Sequence, residues 1–139
     1  MATLHLKIVT PEQLFLEEDV EAVNVQTSEG ELGILPHHAN LMARLSPGEL
    51  RIKKGSKEDR LASGGGFLQM VDNNLTIMTD LAVSEENINE KAVEEALKRA
   101  QEALKQKQTL SDEEYATTLA IIEKSAAQLK IKRRHRKNY

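Results

Sequence analysis

Gly30-Glu31-Leu32-Gly33-Ile34-Leu35-Pro36-His37-His38-Ala39-Asn40-Leu41 reads as a strand that runs into a sharp turn. Its two glycines free the backbone for positive φ or close approach, and Pro36 fixes φ and withholds a donor. A turn of this kind sets side chains on a rigid rim. Outward from it, short runs alternate with period two. Leu4, Leu6 and Ile8 alternate with His5 and Lys7, Val23 and Val25 with Asn24 and Gln26, and Leu75 and Ile77 with Thr76 and Met78, with Thr79 as a further member. Turn residues fall at Ser28-Glu29-Gly30, Ser46-Pro47-Gly48, Lys54-Gly55-Ser56 and Asp72-Asn73-Asn74, the last suited to a hairpin because Asn tolerates left-handed φ. Many short strands at this spacing predict an antiparallel β-sandwich or barrel over residues 1–84.

After Ser84 the period becomes helical. Asn89 is placed as an N-cap, and Ile88 before it is placed to staple onto Val93. Val93, Leu97, Ala100 and Leu104 form one apolar stripe. A break at Gln106-Lys107-Gln108-Thr109 precedes Ser111-Asp112-Glu113-Glu114, a capping box with Leu110 and Tyr115 as its staple. Tyr115, Leu119, Ile122, Ala126 and Leu129 continue the stripe. Residues 85–139 therefore predict an antiparallel two-helix hairpin, about 88–134, with a basic C-terminal tail. At roughly 0.8 kcal/mol per buried methylene its alanine-rich seam is weak glue, so the hairpin should be able to open.

The 139 residues carry 40% hydrophobic and 29% charged side chains, ordinary for a folded protein. Aromatics are 3% with no Trp, so stacking platforms for single-stranded nucleic acid are poorly supplied. Zero Cys excludes disulfides, thiol nucleophiles and Cys-ligated zinc, and is compatible with a reducing compartment. The N-terminus has neither a basic start nor an apolar core, and no stretch approaches the apolar length that spans a bilayer. The net charge of -3 is uneven: residues 1–84 carry 7 basic and 12 acidic side chains, and residues 85–139 carry 12 and 10. Six of those cations, Lys130, Lys132, Arg133, Arg134, Arg136 and Lys137, lie in the last ten residues.

Gly64-Gly65-Gly66 lacks a following Lys-Ser/Thr and leads into Phe67-Leu68-Gln69-Met70-Val71, another strand. A bulge or close backbone crossing therefore explains it better than a phosphate loop. His5, His37, His38 and His135 have no ligand spacing, so an exposed or hydrogen-bonding role is expected for them rather than a metal. Glu17-Glu18-Asp19 reads as a solvated turn, and no Ser/His/Asp set is specified. No cofactor and no catalytic constellation are expected. The basic tail can be a solvated helix end complementing the helix dipole, or the contact of a polyanion-binding or nucleic-acid module, for which only Tyr139 is a nearby aromatic.

Gly30–Leu41, Ser63-Gly64-Gly65-Gly66-Phe67-Leu68 and the helical tail together resemble the epsilon subunits of F-type ATP synthases. The signature there runs Gly-Glu-hydrophobic-Gly-hydrophobic-hydrophobic-Pro-Gly-His-Ala-Pro-hydrophobic. The similarity extends over essentially the whole chain and departs at His37, usually Gly, and Asn40, commonly Pro. It implies a non-catalytic central-stalk subunit that couples the γ subunit to the c-ring and regulates ATP hydrolysis through its helices. Partners would be γ, the c-ring and the α and β subunits, with no nucleic acid. The implied location is peripheral, on the cytoplasmic face of a bacterial plasma membrane or the stromal face of a thylakoid. By the same resemblance Glu31 and His38 meet the polar loops of the c-ring, although on residue type alone both can be solvated turn residues. The six tail cations would meet an acidic loop of β when the hairpin unfolds along γ. Many bacterial members begin the first helix with Ile/Leu-Asp-x-x-Arg-Ala, which binds ATP. Here the stretch is Ile88-Asn89-Glu90-Lys91-Ala92-Val93, so both charged partners are missing and nucleotide sensing is expected to be lost or feeble.

Overall fold

Strand β1 (Leu4–Val9) opens the first of two compact units, which divide between Ser84 and Glu85. A computed structural model describes residues 2–105 and 111–136, with side chains as far as Arg133. After β1 come β2 (Leu14–Val20), β3 (Ala22–Thr27), β4 (Gly30–Ile34), β5 (Leu41–Leu45), β6 (Gly48–Lys54), β7 (Lys57–Ser63), β8 (Gly66–Val71), β9 (Asn74–Thr79) and β10 (Ala82–Ser84). They hydrogen-bond in the order β10-β7-β6-β3-β5-β8-β9-β1-β2, with β4 also on β3.

The layers meet on β3. Its first residues pair with β6, Val23 opposite Ile52, whereas Thr27 at its end pairs with Leu45 of β5. Between these, the Ser46-Pro47-Gly48 corner packs on Gln26, whose carbonyl accepts from the Ser46 amide at 3.0 Å. The period-two residues point inward as expected. Leu4, Leu6, Ile8, Val23, Val25, Leu75 and Ile77 are all buried in one cluster, which Leu50, Ile52, Leu68 and Met70, not singled out by the alternation, also enter. Thr79 joins them because its hydroxyl lies 3.0 Å from both the Gly65 and the Leu81 carbonyls, which removes the cost of burying it. Lys54 of β6 bridges Glu18 of β2, at 2.8 Å, and Asp59 of β7, at 3.3 Å.

Two features differ from the sequence reading. Pairing is antiparallel except between β1 and β9, which run parallel, Leu6 beside Leu75. No hairpin joins these two strands, so no turn dictates their direction. Glu17-Glu18-Asp19 is not a turn but the middle of β2, where Glu17 and Asp19 face His5 and Glu18 faces Lys54. Pairing with β1 outweighs the low strand preference of three acids.

In the second unit a short 3-10 turn (Glu85–Asn87) leads to α1 (Glu90–Leu104) and later α2 (Asp112–Arg136). Asn89 caps α1, its side chain accepting from the Ala92 amide at 3.1 Å, and Ser111 caps α2 through the Glu114 amide at 3.1 Å. The expected break at 106–109 and the Leu110 half of its staple lie outside the described residues. On α2 the stripe holds at Ile122, half-buried, and at buried Leu129, but differs at Ala126, which is exposed while Ser125 beside it is buried. A single methyl is too weak a signal to choose between adjacent seam positions. Tyr115 and Leu119 at the start of α2 remain partly exposed.

The glycine run makes a close crossing. Gly66 has φ +145°, and a Cβ there would collide with the Met78 carbonyl on the paired strand. Gly55 also has positive φ but faces open space. Gly66→Ala should therefore cost at least about 3 kcal/mol, strain plus backbone displacement, against about 1 kcal/mol for Gly55→Ala. Urea unfolding of the two variants measures both, and equal losses would contradict the crossing.

Candidate functional site

β4 delivers the chain into the Leu35–Asn40 loop. The His38 amide donates to the Leu35 carbonyl at 3.1 Å, closing a β-turn with Pro36 at its second position and His37 at its third. His37 has φ +65°, so a β-carbon stands where the turn demands left-handed backbone.

Asn73 holds this turn in place. Its side-chain oxygen accepts from the His37 amide at 2.8 Å, its side-chain nitrogen donates to the Thr3 carbonyl at 2.9 Å, and its own carbonyl accepts from the His5 amide at 3.0 Å. Asp72 and Asn73, with φ +48° and +66°, form the left-handed two-residue turn of the β8–β9 hairpin. Asn40 completes the tie by accepting from the Asp72 amide at 3.0 Å, a contact through a side-chain amide that proline does not possess. The β4–β5 loop, the β8–β9 turn and the start of β1 are thus locked into one rim.

On that rim Leu35 is 61% exposed. His38 donates from Nδ1 to the Ala39 carbonyl at 2.8 Å, which fixes a proton on Nδ1 and leaves Nε2 for a partner. Glu31 lies at the start of β4, roughly 10 Å of strand from Ile34, and is ion-paired to Arg51 of β6. Arg51 and Arg60 also approach Glu49, at 4.0 and 3.7 Å, so Glu31 ends a ladder of alternating charge. Arg51 did not stand out in the sequence, and Asn40 and Asn73 did so only as a departure from the signature and as part of a turn. The Asx-rich Asp72-Asn73-Asn74 was the available signal, but it specified a turn and not the loop it would fasten.

In β1, whose start the rim ties through the His5 amide, the His5 ring sits between two carboxylates of β2, Nε2 2.8 Å from Glu17 and Nδ1 2.9 Å from Asp19. The bond to Glu17, then that to Asp19, raises the His5 pKa, and the bond to His5 lowers that of Glu17. Among the described residues no group of three such side chains is arranged to hold a metal ion.

The basic tail is partly engaged within its own unit. Lys132 Nζ donates to the Glu85 carbonyl at 3.1 Å, and Arg133 pairs with Glu90 and Glu94, so the end of α2 lies beside the start of α1. The hydrogen bond to Glu94, then that to Glu90, raises the Arg133 pKa further. Lys130 is exposed, and the side chains of Arg134, Arg136 and Lys137 lie outside the described residues. In the stretch compared with the nucleotide motif, Asn89 is used as the helix cap, Ala92 is exposed, and Ile88 is buried.

Residues 3–85 match the family model described as ATP synthase, Delta/Epsilon chain, beta-sandwich domain. The ATP synthase epsilon chain of Halalkalibacterium halodurans is 42% identical over 106 residues, 76% of this chain and 80% of that one. The epsilon chain of Herpetosiphon aurantiacus is 37% identical over 109 residues, 78% of this chain and 80% of that one. A chain from the Euglena gracilis mitochondrial ATP synthase, OSCP/F1/c-ring in rotational state 1, superposes with a TM-score of 0.75 at 27% identity, covering 91% of this chain and 79% of that one.

Two outcomes follow from this geometry. His37→Gly should stabilise the sandwich by about 0.5–1 kcal/mol, the left-handed strain relieved less the added freedom of the unfolded chain. A lowered urea midpoint would show that His37 has compensating contacts. His5 has a folded-state pKa above its unfolded one, so its contribution is fully present below the unfolded value and is lost as pH rises through the folded value. The melting temperature should then fall more between about pH 6 and pH 8 in the parent than in His5→Gln. An NMR titration midpoint for His5 at or below the unperturbed imidazole value contradicts this.

Proposed function

Since the chain belongs to the ATP synthase delta/epsilon-chain family and is a non-catalytic stalk subunit, we propose that its sandwich couples the γ subunit to the c-ring while its hairpin restrains ATP hydrolysis. The locked rim carries this reading. A torque-bearing contact needs side chains on backbone that does not yield, and three cross-loop hydrogen bonds through Asn73 and Asn40 give that to Leu35 and His38.

His38 would offer Nε2 to a polar c-ring loop with Leu35 packing alongside. Glu31, already held by Arg51, would contribute as an ion pair rather than as a bare carboxylate. In the brake, the hairpin opens and the cations at Lys130, Lys132, Arg133, Arg134, Arg136 and Lys137 meet an acidic surface on β. Nucleotide would have little hold on this balance, because Asn89 serves as a cap and Ala92 brings no charge. The chain would act at the membrane surface on the side that holds F1; no helix among its described residues is long and apolar enough to cross a bilayer.

Reconstitution tests both halves. With Glu31→Lys and His38→Asp, F1 should be held less firmly on its membrane sector and proton pumping should fall, while the purified chain stays folded. Removal of residues 130–139 should leave assembly intact and raise hydrolysis several-fold. Normal retention and pumping in the double variant would contradict the coupling, and unchanged hydrolysis after truncation would contradict the brake.

A further inference from the structure

The helical unit is closed by charge at the one end where its chain does not turn. Arg133, near the end of α2, reaches two carboxylates one helical turn apart on α1: its Nε lies 3.2 Å from Glu90 Oε1, and its terminal nitrogen bonds Glu94. Beside it Lys132 donates to the Glu85 carbonyl, across 47 positions of sequence. Asn89 fixes where α1 begins, so the two glutamates are presented in a set register. The apolar seam is thin by comparison. In this unit Ile88, Ala100, Ser125, Leu129 and Ile131 are the buried side chains among the described residues, and two of the five are as small as Ala and Ser.

We propose that Arg133, clamped by Glu90 and Glu94 and supported by Lys132 on the Glu85 carbonyl, is an electrostatic latch that keeps the hairpin shut, and that an acidic partner surface opens the hairpin by taking Arg133 from those glutamates. Exposed single pairs contribute little, but one guanidinium shared by two carboxylates fixes both helices with one side chain. Its fork cannot serve two acidic surfaces at once. Closure and binding of the acidic surface are therefore mutually exclusive, and each weakens the other by the same factor. The inference deepens the brake and rests on it for its regulatory consequence, whereas closure itself is a property of the isolated chain.

The absence of cysteine allows labels to be placed at will. Cysteines at Lys91 and Ala126, exposed positions outside the clamp, carry spin labels in the full chain, and pulsed dipolar spectroscopy reads their separation. At low salt the parent should give one short distance. Arg133→Gln should raise the open-to-closed ratio about five-fold, the scale of a bidentate exposed pair, and about 1 M salt should do the same to the parent while leaving Arg133→Gln unmoved. The charge-exchanged variant Arg133→Glu with Glu90→Lys and Glu94→Lys should close again. A parent-like distribution in Arg133→Gln, or a parent indifferent to salt, overturns the latch. So does an exchanged variant that stays open, since Arg133 would then act through packing of its stem. Hydrolysis by the reconstituted enzyme is read separately: opening without a change in hydrolysis supports the latch and removes the brake.

Discussion

Apolar burial is divided unequally between the two units, and the rest of the molecule depends on that division. Fifteen core side chains from nearly every strand close the sandwich, whereas the helical unit buries five side chains among its described residues. At about 1.5–3 kcal/mol for each fully buried large apolar side chain, the first unit can fix loops rigidly and the second can be held by surface pairs. A rotor part needs both properties. In the proposed role the first unit transmits force without deforming, and the second changes shape at small cost.

The rim shows what the stable unit makes possible. Its left-handed backbone at His37, Asp72 and Asn73 costs free energy locally, and such strain persists only where surrounding structure determines it. Here the determinants are the hydrogen bond that the Asn73 side chain donates to the Thr3 carbonyl, the one it accepts from the His37 amide, and the one the Asn40 side chain accepts from the Asp72 amide, anchored by strands β1, β8 and β9. The two departures from the epsilon-subunit signature thus have different characters. His37 adds strain that glycine would avoid, while Asn40 adds a tie that proline would lack.

Much of the fold was legible because it rests on local periodicity. Leu4, Leu6 and Ile8, or Leu75 and Ile77, can lie together on one face only if the chain is extended, and Asn89 and Ser111 marked the helix starts they cap. What was not legible is what distant pairing decides. Glu17-Glu18-Asp19 is a strand because β1 lies beside it, and His5 faces Glu17 and Asp19 for the same reason. The site divides likewise. Glu31 and His38 were visible through their motif, but Arg51, Asn73 and Arg133 acquire their roles across 20, 36 and 39 positions of sequence, which no local pattern encodes.

The central claim is that the rim formed by Leu35–Asn40 is a coupling surface. It is tested most directly by a photo-crosslinking residue at Leu35 in the assembled enzyme, with the adduct identified by mass spectrometry. The account predicts an adduct with the c subunit. Adducts confined to α or β, or none while assembly is normal, would contradict it.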